Sequence, residues 1–366
     1  MLANGLGKLL RRECVEGGQF FDLFAGSASV SQFIAENTKS RVVANDLQRF
    51  AGVLAESVIL RTEVLEADRI WQSWFRRASI RRNAIEIPQF RGGIKSRVLR
   101  SREWSTTVPS LEITQAYGGH YFSPLQAVWI DCLRASLPRQ REARAAALGS
   151  LIRAASRCAA SPGHTAQPFQ PTETASRFLE TAWQRDIAAE TRRFFTATCA
   201  TYARVSGEAR CTDARSALDT AQEGDLAFVD PPYSAVHYSR FYHVLETIAV
   251  GSCGAVEGVG RYPAASKRPR SRYSVKSESR QALMELLDEA ALRGVRLIVT
   301  FPDHDCSNGL SGAAIVEMAS PKFRVQEERV TSRFSTLGGT SNRLGGAGSR
   351  AARVAANELI LRLSPK

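Results

Sequence analysis

The tetrad Asp230-Pro231-Pro232-Tyr233 closes the apolar run LAFVD, where a strand would normally turn into a helix. Two consecutive prolines fix φ and remove two N–H donors, so the backbone there presents carbonyl oxygens with no competing donors. The Asp230 carboxylate adds an acceptor, and Tyr233 supplies a flat ring beside it. Acceptors clustered next to a stacking face describe a pocket for a planar group that carries an amino function. At average residue usage, four such fixed positions arise by chance in about one of several hundred chains of this length, so the tetrad carries weight. A second stretch, FDLFAGSASVS, places Gly26, Ser27, Ala28 and Ser29 where a strand hands over to a helix. A backbone stripped of side chains can approach a ligand there, and Asp46, at the end of the next apolar run, is placed to accept hydrogen bonds from a ribose. Tight strand–helix packing would give the same pattern. A nicotinamide site would need a GxGxxG, which the sequence lacks.

The elements that must carry these residues are legible in part. QFFDLF, AGSAS, VSQFIAE and RVVAND read as strand, loop, helix and strand, a doubly wound opening. LQRFAGVLAESVILRTEVLEADRIWQSWF follows with helical spacing of its apolar residues. The strand pattern resumes with EARCTD, DLAFVD, VRLIVTF, FRVQEERVTSRF and NELILRL, with an amphipathic helix QALMELLDEAALRG closed by Gly294. Between them, YFSPLQAVWIDCLRASLP and REARAAALGSLIRAASRCAA look helical. The expectation is an α/β fold, residues 1–60 and 205–366, interrupted by a large, mostly helical insertion at 61–204. Tyr121, Phe122, Trp129 and Trp183 are expected in its core, and residues 338–350 form a flexible loop.

The net charge of +13 is localised. Residues 76–102 hold nine Lys or Arg against Glu86 alone, and residues 261–280 hold seven against Glu278 alone, which accounts for the entire excess. Concentrated charge of this kind points to a polyphosphate partner, although a solvated loop gives the same count. The seven cysteines are scattered with no CxxC pair, which argues against a disulfide framework or a zinc cluster, and no metal site is expected. No apolar run approaches bilayer length and the amino terminus has no secretory-type apolar segment, so no membrane association and a cytoplasmic location are expected.

In order, FxGxxxV at Phe24–Val30, a long insertion and then DPPY resemble the alpha-order DNA adenine-specific (N6) methyltransferases, over most of the chain. The resemblance implies a Rossmann-like mixed sheet, S-adenosylmethionine as cofactor, and Lys8, Asp22, Phe24, Ala25, Gly26, Ser27, Asp46, Asp213 and Asp230 around it. It assigns Asp230, Pro231, Pro232 and Tyr233 to the target base, places the protein near the nucleoid of a bacterium or archaeon, and admits a restriction endonuclease or defence components as partners. The family usually has FxGxG, and here the second glycine is Ala28. Alanine resists positive φ, so the loop is either slightly re-posed or binds the cofactor less tightly, and with DPPY and Asp46 intact the change is expected to be tolerated.

Adenine's amino nitrogen is a poor nucleophile, and hydrogen bonds from it to Asp230 and the Pro231 carbonyl would aim its lone pair at the methyl donor. Reaching that nitrogen requires flipping the base out of the duplex, at about a few kcal/mol. Stacking on Tyr233 offsets part of this, and phosphate contacts supply much of the rest. Arg76, Arg77, Arg81, Arg82, Arg91, Lys95, Arg97, Arg100 and Arg102 are therefore expected on double-stranded DNA, in the sequence-reading region. Arg261, Lys267, Arg268, Arg270 and Arg272 are expected on the backbone beside the flipped base, in a segment whose Tyr262 and Tyr273 alternate with the arginines and which orders on binding. His237 and His243 suit packing or phosphate contact. RNA or cytosine-amino methylation, and a non-catalytic nucleic-acid-binding module, are the competing readings.

Overall fold

A computed structural model describes residues 5–332 and 356–366. The expected loop at 338–350 lies outside the described residues. Seven strands form one sheet: β1 Gln19–Asp22, β2 Arg41–Asn45, β3 Glu208–Arg210, β4 Leu226–Val229, β5 Arg296–Pro302, β6 Phe323–Ser332 and β7 Ala356–Pro365. Their order across the sheet is β3-β2-β1-β4-β5-β7-β6. The first five run parallel, and β7 is antiparallel to both β5 and β6. Parallel strands covered on both faces need continuous apolar sequence rather than alternation, and LAFV in β4 is buried at all four positions.

Chain order runs outward from β1 to β3 on one side and restarts at β4 on the other. The reversal falls between β1 and β4, which pair in register at Phe20–Leu226 and Asp22–Phe228. In open α/β sheets the ligand crevice lies outside the carboxyl ends of the strands at such a switch point. Both motif-bearing loops, FAGSAS after β1 and DPPY after β4, leave from that place.

The chain divides into two compact units, Met1–Leu47 with Ala203–Tyr238 and Arg270–Lys366, and Gln48–Tyr202 with Ser239–Pro269. The first contains the sheet and the helix Ser279–Leu292, whose Leu283, Leu286, Leu287 and Ala290 join the core with Val229, Leu297 and Val299. The second is mostly helical. Its limits differ from the expected insertion at 61–204 at both ends. The helix Arg49–Ile59 is buried at nine of its eleven positions and belongs to the helical unit. The Glu246 carboxylate, in the helix His243–Val250, accepts from the free N–H groups of Arg49 and Phe50, both at 2.9 Å. That double cap ties residues 239–269 into the same unit.

Local signals explain several helical starts. Ser123 and Gln126 form a reciprocal capping box with Pro124 at the first helical position, opening Pro124–Ala135. Tyr121 and Phe122 are fully buried, whereas Trp129, stacked on Phe75 at 5.3 Å, and Trp183 are half-buried.

Candidate functional site

The loop after β1 is held by its neighbours on both sides. The Leu23 N–H donates to the Phe228 carbonyl (3.1 Å) and the Ala25 N–H to the Asn45 carbonyl (2.8 Å). Gly26 then adopts φ +50°, and its N–H donates to Asp46 Oδ2 at 2.9 Å. Ala28 adopts φ 60° and ψ 17° while fully buried. The left-handed conformation that a glycine would take is thus kept, at a backbone cost of about 1–2 kcal/mol. The helix Ser29–Asn37 begins immediately after it.

Asp22 is 1% exposed, and one carboxylate oxygen accepts from the Ser31 N–H (3.1 Å) and hydroxyl (2.6 Å). That oxygen is committed to the first turn of Ser29–Asn37. Its other oxygen is buried without a hydrogen-bond partner among the described residues. Burial pushes the carboxyl up to about 6, opposed by the Ser31 bonds and reinforced by the nearby Asp46. Phe24 meets Tyr273 edge to face, with ring centroids 4.9 Å apart. Asp213, just beyond β3, is half-buried and accepts from the Arg215 N–H at 3.0 Å. Lys8 is exposed in the helix Leu6–Glu13 and forms no hydrogen bond or ion pair among the described residues, so nothing ties it to this loop. Ser27 hydrogen-bonds Ser29.

On the other side of the switch point, Asp230 accepts from Thr300 Oγ1 of β5 at 3.0 Å. Burial is the largest influence on its carboxyl, with Glu358 and Asp22 adding repulsion against the Thr300 bond, and together they push it up to about 7. Glu358, near the start of β7, is 5% exposed and pairs in register with Pro302. The Pro232 carbonyl accepts from Asn308 Nδ2 at 2.6 Å, and the same amide donates to the Tyr273 carbonyl at 3.0 Å. The Pro231 carbonyl has no donor among the described residues, which leaves that acceptor available. Tyr233 is 37% exposed, and burial, opposed by a hydrogen bond with Tyr238, holds its hydroxyl pKa above the ordinary value.

Four positioning residues escaped the sequence reading: Asn45, Thr300, Asn308 and Glu358. Asn45 is 1% exposed and links the loops after β1 and β3, donating to the Leu23 and Thr212 carbonyls at 3.3 and 3.1 Å. Asn45, Thr300 and Glu358 share one signal, a polar residue in an otherwise apolar strand run, as in RVVAN, LIVTF and NELIL; Asn308 lies in a loop and carries no such signal.

The basic residues separate into groups. Arg76, Arg77, Arg81 and Arg82 lie on the helix Ala67–Asn83, whose inward face is Trp71, Trp74 and Ala78. Lys95, Arg97, Arg100 and Arg102 lie on Ile94–Thr107, with Arg91 in the preceding loop. Arg97 pairs with Glu180, and Arg77 donates to the Ser136 carbonyl at 2.9 Å. The 261–280 segment, expected to act as one grip, is divided instead. Arg261, Lys267 and Arg268 belong to the helical unit, whereas Arg270 and Arg272 belong to the sheet unit and pair with Glu278 and Glu285. Tyr273 is 2% exposed beneath Phe24, so it has no free face for a base. His243 is 2% exposed among Tyr117, Tyr121 and Tyr262, a packing role.

Among the described residues no group of three or more His, Cys, Asp or Glu is arranged to hold a metal ion, and the cysteines are free thiols. No helix among them is long and apolar enough to cross a membrane.

The mixed seven-stranded sheet with helices defines an α/β fold, with Asp22, Asp46 and Asp230 at the carboxyl ends of its central strands. The chain is similar to the Modification methylase LlaI of Lactococcus lactis subsp. lactis, 25% identical over 289 residues, 76% of this chain. The chain spans 41% of that relative's length. No protein-family profile matches the chain.

Proposed function

We propose that the chain is a DNA methyltransferase that transfers a methyl group from S-adenosylmethionine to the N6 amino group of a flipped adenine in double-stranded DNA. The observation that carries this reading is the placement of FAGSAS and DPPY on adjacent parallel strands at the switch point, with the Pro231 carbonyl and Asp230 as neighbouring acceptors. The likeness to a modification methylase supports the transfer of a methyl group to DNA. The intact DPPY tetrad supports adenine as the target, within the alpha-order subtype, and the strand order with its antiparallel β7 supports a Rossmann-like methyltransferase sheet.

The residues present fit the cofactor. The left-handed turn at Gly26 and Ala28 keeps side chains away from the crevice, and Asp22, Asp46, Asp213 and Asp230 make its surroundings acidic, which suits a cationic sulfonium nucleoside. When bound, S-adenosylmethionine supplies an electrophilic methyl group. Phe24, Ala25, Gly26 and Ser27 would line its pocket, Asp46 would hold the ribose and Asp213 the adenine end.

Asp230 and the Pro231 carbonyl would accept the two N–H groups of the target amine, orienting its lone pair. Asn308 withdraws the Pro232 carbonyl from competition, and Tyr233 would stack on the base. Catalysis by positioning requires no protein nucleophile. The helical unit would read and hold DNA through its basic residues, and a modification role would place the chain beside DNA.

The test is expression in a methylation-deficient bacterial host, with mass spectrometry of digested DNA beside an Asp230→Ala control. N6-methyladenine that disappears in the control is the expected result. N4-methylcytosine, or no modified base from folded protein, overturns the adenine assignment.

A further inference from the structure

Within the helical unit, the strands Val256–Glu257 and Tyr262–Pro263 form a small ribbon that carries an unusual charge arrangement. Arg240 and Arg268 both lie over the Tyr262 ring, with guanidinium carbons 4.8 and 5.6 Å from its centroid. Their separation cannot exceed the sum of those distances, about one Debye length at 0.1 M salt, so the two like charges still repel. Among the described residues neither side chain forms an ion pair or hydrogen bond. This is not for want of acids in the chain: Arg270 and Arg272, close by in sequence, are neutralised by Glu278 and Glu285. Arg268 Nε is moreover buried without a partner, and a desolvated donor left unsatisfied calls for an ion or ligand to complete it.

The Tyr262 ring is held in place by its neighbours. The Tyr262 hydroxyl donates to the Ala166 carbonyl. His243 lies against the ring at 4.9 Å, and its two nitrogens face the Gly260 carbonyl (2.8 Å) and the Arg240 carbonyl (3.1 Å). A neutral imidazole carries one N–H, so His243 donates to one of these carbonyls and packs against the other. Burial pushes that imidazole down to about 4, so it adds no charge near neutral pH. Next along the ribbon, Arg261 takes φ 53° and donates to the Ala116 carbonyl at 2.8 Å, close enough to Arg102 for each to sense the other's charge. Those two are likewise held by backbone carbonyls without a carboxylate partner among the described residues.

We infer that Arg240 and Arg268 over Tyr262 form a built phosphate subsite that takes a phosphodiester group of double-stranded DNA. Guanidinium forks match phosphate oxygens, and an anion between two unpaired arginines relieves their repulsion and satisfies the buried Nε. A single small anion would need only this pair, whereas the neighbouring Arg102 and Arg261 continue the unneutralised charge, as a polyanionic strand requires. Arg240, outside both basic stretches of the sequence, thereby joins the DNA-binding residues. The inference rests on the reading that the chain acts on DNA.

The test is fluorescence anisotropy of a labelled DNA duplex, titrated without cofactor across a KCl series, for the whole chain and an Arg240→Ala/Arg268→Ala variant. The expected result is at least about tenfold weaker binding and a salt slope smaller by roughly one for each phosphate that is no longer neutralised. Arg193→Ala, which removes an arginine that lies over Phe194 but is paired with Glu190, leaves both unchanged. Should the double alanine variant fail to fold, Arg240→Lys/Arg268→Lys keeps the charge but loses the fork, and weaker binding with a preserved slope supports the site. Unchanged affinity and slope in a folded double variant overturn it. The two readings fail separately: a duplex-binding chain whose slope responds but which methylates no base retains the subsite and loses the enzyme. A methylating chain whose slope ignores the variant loses only the subsite.

Discussion

Replacing Asp230 by Asn separates the demands of function from those of folding. The carboxyl is pushed from an ordinary 3.8 up to about 7, chiefly by burial. The folded state therefore holds a proton more tightly than the unfolded chain does. Between pH about 4 and 7 the unfolded chain has released that proton and the folded protein has not, so stability falls as pH rises through this window and levels off above it. At about 1.4 kcal/mol per pH unit the full effect would be about 4 kcal/mol. Asp230 keeps some contact with solvent, and screening brings the working figure to about 2 kcal/mol. Asparagine cannot ionise, yet its side-chain oxygen still accepts from Thr300. Asp230→Asn is thus expected to match the wild type below pH 4 and to be more stable by about 2 kcal/mol above pH 7. Urea unfolding of both proteins at a series of pH values measures the difference, and methyl transfer by the variant should be lost. A stability difference that is absent or independent of pH refutes the reasoning, because it would mean that the carboxylate is not buried against its neighbours.

Glu358→Gln removes one of the charges that raise Asp230, so the rise of methyl transfer with pH should move to lower pH, read from the pH profile of kcat/KM. A profile that does not move would show that Glu358 does not act on Asp230. At Ala28, the strain released by glycine is offset by the lost buried methyl and the greater freedom of the unfolded chain, so Ala28→Gly should alter stability by less than about 1 kcal/mol. Ala28→Val forces a β-branched residue into the same left-handed conformation in a space with no exposure, and should lower the melting temperature sharply. Equal melting temperatures for the two variants would contradict the turn geometry.

How much was legible follows from the range of the signals. The strand runs and DPPY carry their meaning locally: continuous apolar residues bounded by turn residues fix a buried strand, and two prolines fix a backbone whatever surrounds them. The helix Arg49–Ile59 shows where local reading fails. Its burial on nearly every side is set by partners far along the chain, so its spacing named a helix but not the unit it serves. The 261–280 segment fails for the same reason. Charge counting treats its arginines alike, whereas Glu278 and Glu285 neutralise Arg270 and Arg272 and leave Arg268 unpaired.

The sequence by itself determined the α/β class and the two motif-bearing loops, because these rest on backbone restriction and residue chemistry within a few positions. Only the tertiary structure decided the rest: that the loops leave adjacent strands at the switch point, and that Ala28 keeps the glycine-like turn. It also showed that Thr300, Asn308 and Glu358 surround the tetrad, and that Arg240 shares a tyrosine with Arg268. Strand pairing and burial bring together residues separated by tens to hundreds of positions, and the electrostatics of a site depend on those distances rather than on spacing along the chain.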